Sequence, residues 1–190
     1  MNLEAFAVST GVVALGEMGD KTQLLALLLA ARFRRPLPII AGILVATLAN
    51  HAGASALGSW LTQVVNPGWM RWGLGLSFIA VAVWMLIPDK VDDDAGTVSG
   101  RWGVFGVTVV AFFLAEMGDK TQIATVMLAA QYNAYLWVVA GTTLGMMIAN
   151  VPAVLLGDKA VKVVPIQWVH RIAAIVFAAL GVAMLVGVGA

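Results

Sequence analysis

The sequence predicts an all-α membrane protein in which six transmembrane helices form two inverted repeats of three helices each. Of the 190 residues, 61% are hydrophobic and 11% are charged, and the mean hydropathy is +0.94. A soluble domain keeps about a quarter of its residues charged. Two further observations support this fold class: uncharged apolar segments recur along the chain, and an internal repeat divides it into halves.

Six segments are long enough to cross a bilayer, which takes a helix of roughly 20 apolar residues. Four of them are uncharged, namely 37–61, 72–87, 134–157 and 172–190. Two more, about 3–31 and 103–130, are interrupted by acidic and basic residues. The longest stretch with an aqueous composition is 88–101, which leaves no room for a soluble domain.

The N-terminus lacks a basic region and reaches its first acidic residue at Glu4, so no cleavable signal peptide is predicted. The chain has no cysteine, which excludes disulfides and thiolate metal sites. Its formal net charge of +1, without a basic face or interleaved aromatic residues, argues against a nucleic-acid partner. Membrane lipid is the partner that the composition predicts.

The distribution of basic residues predicts the orientation in the membrane. Only Arg71 lies in a loop on one side. Eight basic residues share the other side: Arg32, Arg34, Arg35, Lys90, Arg101, Lys159, Lys162 and Arg171. Because basic loops stay in the cytoplasm, both chain ends are expected outside it. The run Asp92 to Asp94 reads as a solvated part of the cytoplasmic linker rather than as a regulatory cation patch.

A seven-residue segment occurs twice. Glu17–Gln23 recurs letter for letter as Glu116–Gln122, 99 residues later. Weaker matches at an offset of 99 or 100 pair Ala41-Gly42 with Ala140-Gly141, Ala49-Asn50 with Ala149-Asn150, Phe78 with Phe177, and Met85 with Met184. The predicted units are a first repeat (1–88), a cytoplasmic linker (89–102) and a second repeat (103–190). Three crossings per repeat invert the second half, which is typical of secondary transporters with a site near the midplane.

The repeated segment places charge in the middle of a predicted membrane helix. On a continuous helix, Glu17, Asp20 and Lys21 fall within an arc of about 100°, whereas Thr22 points elsewhere and Gln23 extends the polar stripe. The second copy has the same geometry in Glu116, Asp119, Lys120, Thr121 and Gln122. The glycine of each copy, Gly19 or Gly118, allows close helix approach or local unwinding that frees backbone carbonyls.

The energy of burying these charges favours a functional role. Each acid or lysine at mid-bilayer costs roughly 2.5–3.5 kcal/mol, so the six together approach about 15–20 kcal/mol before pairing. A purely structural alternative is that the two lysines neutralise the two aspartates as ion pairs between the helices. That alternative leaves Glu17 and Glu116 without partners, and apolar packing normally stabilises such a contact as well as buried ion pairs do.

The charge balance of the two copies predicts a divalent cation. Four carboxylates and two lysines sum to minus two, which one such ion cancels. Oxygen ligands suit Mg²⁺, Ca²⁺ and Mn²⁺, whereas Zn²⁺ and Cu²⁺ prefer the imidazole and thiolate groups missing here. Without the metal, four close acids cannot all stay ionised, so their coupled protonation supplies a counter-ion for exchange. The predicted metal ligands are Glu17, Asp20, Glu116 and Asp119.

Several neighbouring residues have a functional and a structural reading. Asn50 and Asn150 could add amide oxygens to the metal shell or hydrogen-bond helices together, and both readings stay open. His51 has no counterpart in the second half and reads as a satisfied packing histidine or a pore-side donor rather than a ligand. Met18 and Met117 read as packing residues, with a soft thioether near the metal as the alternative.

The doubled Glu-x-Gly-Asp-Lys-Thr pattern, one copy in each half of a six-helix chain, resembles a known family. This is the family of small cation/proton exchangers that includes bacterial MneA-type manganese exporters and the Golgi manganese/calcium transporters of yeast and animals. The resemblance covers essentially the whole chain. It implies export of Mn²⁺ or Ca²⁺ in exchange for protons, with acidic ligands at the four carboxylates named above. It also implies that the motif's basic and hydroxyl positions are Lys21, Thr22, Lys120 and Thr121.

The leading hypothesis is therefore a proton-coupled exporter of Mn²⁺ first and Ca²⁺ second, in a prokaryotic plasma membrane, without a cofactor; a homo-oligomer stays open. An alternative from the enzyme class is an intramembrane aspartyl protease with Asp20 and Asp119 as its dyad. The lysine after each acid argues against it, because it favours the ionised form of both. A third alternative is a small amino-acid or anion exporter, which predicts no stabilisation by metal.

Overall fold

A computed structural model describes residues 2–87, 103–157 and 166–187. The described ranges contain eight α-helices: α1 Asn2–Glu17, α2 Lys21–Phe33, α3 Pro36–Val64, α4 Pro67–Trp84, α5 Gly103–Glu116, α6 Lys120–Tyr132, α7 Tyr135–Leu156 and α8 Ile166–Leu185. Most of the predicted cytoplasmic charge lies outside the described residues: Lys90, Asp92, Asp93, Asp94, Arg101, Lys159 and Lys162.

Several of the helices have the length or the composition of membrane spans. Among the described helices, three are long and apolar enough to cross a bilayer: α3, α7 and the part of α8 from Gln167 to Leu185. The shorter helix α5 is also apolar. The protein is thus an all-α, multi-pass membrane protein, as its composition predicts.

The segment predicted as the first helix is broken at the repeated motif. Helix α1 ends at Glu17 and α2 begins at Lys21, so residues 18–20 interrupt the helix. Gly19 has a φ of +84°, a left-handed conformation that L side chains avoid. The prediction that Glu17, Asp20 and Lys21 share one continuous helix face was wrong here, whereas the local unwinding that Gly19 was expected to allow is present.

The second copy of the motif is broken in the same way. Helix α5 ends at Glu116, α6 begins at Lys120, and Gly118 has a φ of +75°. The two aspartates take the N-cap positions of α2 and α6, with φ/ψ of −81°/169° at Asp20 and −80°/163° at Asp119. A carboxylate at a helix N-terminus is stabilised by the partial positive charge of that end. Identical sequences thus form identical breaks.

The structural repeat extends beyond the motif. Arg34 (φ 52°) ends α2 in the left-handed conformation, and Asn133 (φ 47°), 99 residues later, ends α6 in the same way. The next helices begin at Pro36 and Tyr135, again 99 residues apart. Each broken helix is therefore followed by the same tight turn into a long helix.

Small residues let the helices pack closely around the motifs. Helix α1 packs on α7, and α3 packs on α5 and α6. A Cβ atom added to Gly42 of α3 would lie 2.7 Å from Cβ of Thr108, and one added to Gly141 of α7 would lie 2.5 Å from the carbonyl oxygen of Phe6. The two glycines are equivalent in the repeat. In each half, the glycine lets the long helix pack closely against the broken helix of the other half.

Helices α4 and α8 pack against each other beside this group. Phe78 and Phe177, which are equivalent in the repeat, are both fully buried, and their ring centroids are 6.1 Å apart. Met85 and Met184 are buried in the same apolar cluster. The weak sequence matches thus mark positions with the same packing role in both halves.

Candidate cation site

The two breaks bring three carboxylates together inside the protein. Glu17, Asp20 and Asp119 can each offer one oxygen such that the three oxygens lie within 4.8 Å of one another. Their residues are 0%, 1% and 3% exposed. Because Asp119 comes from the other copy of the motif, both halves build the cluster. Oxygens at this spacing can share a single cation.

The fourth predicted acid, Glu116, is fully buried beside this cluster but outside the group of three. It is close enough to interact electrostatically with Asp119 and Asp20, and Glu17 interacts with Glu116 in turn. The four carboxylates therefore lie near one another, but only Glu17, Asp20 and Asp119 form the group whose oxygens could share one ion. Glu17 lies among the three clustered acids and Glu116 lies at their edge.

The motif lysines pair across the two copies rather than within one. Nζ of Lys120 lies 3.1 Å from Oδ1 of Asp20, and both side chains are fully or almost fully buried. Nζ of Lys21 lies 3.4 Å from Oδ2 of Asp119, with 26% of the lysine side chain exposed. The predicted neutralisation of the aspartates is thus present, in a crossed arrangement that ties the halves together.

The glutamates are bound by threonine hydroxyls instead of ammonium groups. Oγ1 of Thr22 donates to Oε2 of Glu17 at 2.5 Å, and Oγ1 of Thr121 donates to Oε2 of Glu116 at 3.2 Å. The prediction that Thr22 points elsewhere was wrong, because the break rotates α2 relative to α1. In the described chain, Oε1 of each glutamate is buried without a hydrogen-bond partner, which leaves one carboxylate oxygen of each able to bind a ligand.

The motif glutamines stabilise the unwound segments. Oε1 of Gln23 accepts a hydrogen bond from N–H of Gly19 at 3.0 Å, and Oε1 of Gln122 accepts one from N–H of Gly118 at 2.7 Å. Each glutamine thus satisfies a backbone donor that the interrupted helix leaves free. Nε2 of Gln23 also donates to the Ala149 carbonyl of α7 at 2.9 Å. The sequence indicated only a longer polar stripe here.

The two asparagines have different environments. Nδ2 of Asn50 donates to the carbonyl of Phe113 at 3.1 Å, and its Oδ1 accepts a 3.4 Å contact from Gln122, which supports the interhelical reading. Nδ2 of Asn150 bonds within α7, to the carbonyl oxygen of Met146 at 3.1 Å. Within the described residues, Oδ1 of Asn150 is buried without a hydrogen-bond partner. The amide oxygen of Asn150 is therefore available to bind a ligand, whereas that of Asn50 already accepts a contact from Gln122.

One contact of the first break involves a residue that the sequence did not single out. Nε2 of His170, near the start of α8, lies 3.0 Å from the Met18 carbonyl oxygen. Because a carbonyl only accepts, Nε2 carries the proton in this contact. His170 thus fastens α8 to the unwound segment. A lone histidine at the edge of an apolar segment carries no pattern that predicts such a role. The equivalent methionine of the second break, Met117, lies at the surface, with 57% of the residue exposed.

The family model for divalent cation/proton antiporters of the GDT1 type matches residues 5–93 and 104–189. Together these segments cover most of the chain. This chain belongs to that family. As a family member it is a transporter of divalent cations and not an enzyme, so the protease alternative is set aside.

Two relatives are informative. A protein of Vibrio cholerae serotype O1, named "Putative manganese exporter", is 50% identical over 176 residues, which cover 92% of this chain and 87% of that protein. A GDT1-like protein of Synechocystis is 29% identical over 181 residues, covering 82% and 84%. No solved structure matches the chain.

Proposed function

We propose that the protein exports Mn²⁺, and Ca²⁺ as a second substrate, from the cytoplasm in exchange for protons. The cation binds to Glu17, Asp20, Glu116 and Asp119. The observation that carries this proposal is the cluster of three carboxylate oxygens within 4.8 Å, contributed by both halves and buried in a membrane protein. Ionisable groups at this depth are retained for ion pathways.

The crossed ion pairs explain why the site takes a doubly charged ion. Each lysine neutralises one aspartate, so the two glutamates account for a remaining charge of minus two. One divalent cation cancels that charge. The donors are carboxylate, hydroxyl and amide oxygens, which suit Mn²⁺ and Ca²⁺ better than Zn²⁺ or Cu²⁺. The name of the Vibrio cholerae relative supports Mn²⁺ as the first substrate.

The same charge balance supports proton exchange. When the cation leaves, two positive charges must replace it, because an uncompensated double negative charge deep in the membrane is strongly disfavoured. Two protons on the carboxylates meet this requirement. The proposed cycle therefore moves one divalent cation out and two protons in, with no net charge.

The proposed topology consists of six spans in two inverted repeats. Helices α1 and α2 form the first span and α5 and α6 the fourth, each discontinuous at its motif. Broken helices facing each other at the midplane are typical of transporter sites. The matching breaks and turns at an offset of 99 residues, and the two segments matched by the family model, support repeats at 1–88 and 103–190. The basic residues support chain ends outside the cytoplasm, and the Vibrio cholerae relative supports a prokaryotic membrane.

Transport in proteoliposomes tests the proposal. The purified protein is reconstituted, and uptake of Mn²⁺, Ca²⁺ and Mg²⁺ is measured in turn under an imposed pH gradient. We expect the fastest uptake for Mn²⁺, slower uptake for Ca²⁺, and none in Asp20→Asn. The same variant should fail to lower the manganese content of cells grown in high Mn²⁺. Uptake that ignores the pH gradient, or that persists in Asp20→Asn, would contradict the proposal.

A further inference from the structure

One face of α3 carries buried polar groups that the protein does not satisfy. Thr47, His51 and Ser55 follow one another at intervals of four residues, so their side chains form a ridge along the helix. All three residues are 0% exposed. Ser59 continues the ridge by another turn. Among the described residues, neither ring nitrogen of His51 nor any of these three hydroxyl oxygens has a hydrogen-bond partner.

Other hydroxyls in the same chain make the usual hydrogen bond of a helical threonine to the backbone. Thr10, Thr108, Thr125 and Thr142 each donate to the carbonyl four residues earlier, at 2.8 Å in every case. This bond is available to any threonine or serine in a helix. The hydroxyls of Thr47, Ser55 and Ser59 do not make it, although they lie in a regular helix, and neither do those of Ser9 and Thr143 elsewhere in the described chain. The ridge is distinct in that three such hydroxyls and an imidazole line up on one helix face, where they can bind a partner other than the helix backbone.

The second residue of the ridge, His51, lies at the depth of the cation site. Asn50, the neighbour of His51, contacts Gln122, which binds the N–H of Gly118 in the second break. His51 therefore lies at the level of that break. Ser59 is eight residues farther along α3, which corresponds to about 12 Å at the rise of an α-helix. In the proposed orientation, this direction leads toward the outer surface.

We propose that His51, Ser55 and Ser59 of this ridge are the path by which protons reach the carboxylate site from outside. Hydroxyl groups and neutral imidazole both donate and accept hydrogen bonds. One ring nitrogen of His51 can take a proton while the other releases one, so the relay returns to its neutral form. Ordered water joins such buried polar groups into chains. The ridge has no carboxylate, so it offers a divalent cation no charged ligand.

This inference rests on the proposed function. Two assays on the same proteoliposomes distinguish a failure of the proton path from a failure of the proposed exchange. The first measures Mn²⁺ uptake driven by a pH gradient, which requires proton movement. The second measures exchange of labelled for unlabelled Mn²⁺ at equal pH, which requires only the cation site. Wild type, His51→Leu, Ser55→Ala and Thr142→Val are compared. Thr142→Val is the matched control, because it deletes an equally buried hydroxyl that already has its helix partner.

We expect His51→Leu to lower gradient-driven uptake by about tenfold, comparable to losing one buried hydrogen-bonding relay. Ser55→Ala should lower it by less, and Mn²⁺ exchange should stay unchanged in both. Thr142→Val should match wild type in both assays.

Equal loss of both activities in folded His51→Leu, or no loss in either variant, would overturn the proton path. If His51→Leu does not fold, Ser55→Ala decides alone. Wild-type Mn²⁺ exchange without any response to the pH gradient would instead overturn proton coupling itself.

Discussion

The ammonium group of Lys120 lies 3.1 Å from Oδ1 of Asp20, although the two residues belong to different copies of the motif. The reciprocal contact joins Lys21 to Asp119 at 3.4 Å. The first pair is fully enclosed, whereas Lys21 keeps part of its side chain exposed. The aspartate of each copy is therefore neutralised by the lysine of the other copy. The two ion pairs differ in how far they are shielded from solvent.

The enclosed pair gives a prediction about stability. In Lys120→Met, the Asp20 carboxylate loses its ammonium partner, and removing one member of a buried pair destabilises by about 3–5 kcal/mol. The double variant Lys120→Met/Asp20→Asn should recover much of this loss but should not transport Mn²⁺. Thermal unfolding in detergent measures the stability. Lys21→Met is the matched control and should be less destabilising, because its partly exposed ammonium is screened. Equal losses in the two single variants would contradict this account.

The unequal positions of the glutamates predict unequal effects on cation binding. Glu17→Gln removes a member of the three-carboxylate cluster, whereas Glu116→Gln changes an acid at its edge. A ligand at 100 times its Kd stabilises a protein by about 2.7 kcal/mol. We expect Mn²⁺ to raise the unfolding temperature of wild type, to raise it less in Glu116→Gln, and to leave Glu17→Gln unchanged. The reverse order would show that the cation binds nearer Glu116.

The positive φ of Gly118 predicts a conformational effect without a steric one. A Cβ atom added there would meet no atom within 4 Å. Gly118→Ala should therefore destabilise the protein only through the left-handed backbone, by about 1–2 kcal/mol. Gly118→Asn should be milder, since asparagine tolerates this conformation better. Thermal unfolding of the two variants checks the order. A more stable Gly118→Ala variant would mean that the break is not held in this conformation.

The contact between His170 and the Met18 carbonyl predicts a positioning role in transport. His170→Gln keeps a donor of comparable reach, whereas His170→Leu removes it. We expect His170→Leu to slow Mn²⁺ uptake by several-fold, comparable to losing one hydrogen bond of about 1 kcal/mol, and His170→Gln to restore most of the rate. Uptake at several Mn²⁺ concentrations separates maximal rate from apparent affinity. Identical rates in both variants would show that the bond does not matter for transport.

The charge balance predicts electroneutral exchange. If two protons replace each divalent cation, a membrane potential imposed by potassium and valinomycin should not change the rate of Mn²⁺ uptake at a fixed pH gradient. Collapse of the pH gradient should stop uptake of Mn²⁺ against its own concentration gradient. A rate that follows the potential would require a different proton number.

The sequence predicted an all-α membrane protein and a transporter of divalent cations, because the apolar composition, the identity over seven residues and the buried charge leave few alternatives. It did not predict how the motif is arranged. Local unwinding at the glycines was one of two possibilities, but the side-chain directions were derived for a continuous helix. Thr22 was therefore directed away from Glu17, whereas the unwound segment at Gly19 turns it back toward that carboxylate. The crossed lysine pairs depend on the relative placement of two distant segments. Spacing within one segment contains no information about that placement.

The crossed pairing also bears on how the two halves diverge. Of the seven residues before each copy, 10–16 and 109–115, only Leu15 and Leu114 match, whereas the seven residues of the copies themselves are identical. Replacing the aspartate or the lysine of one copy removes the ion-pair partner of a residue in the other copy. A substitution in one copy alone is therefore unfavourable. Reciprocal dependence thus accounts for the presence of the same aspartate and lysine in both copies of the motif.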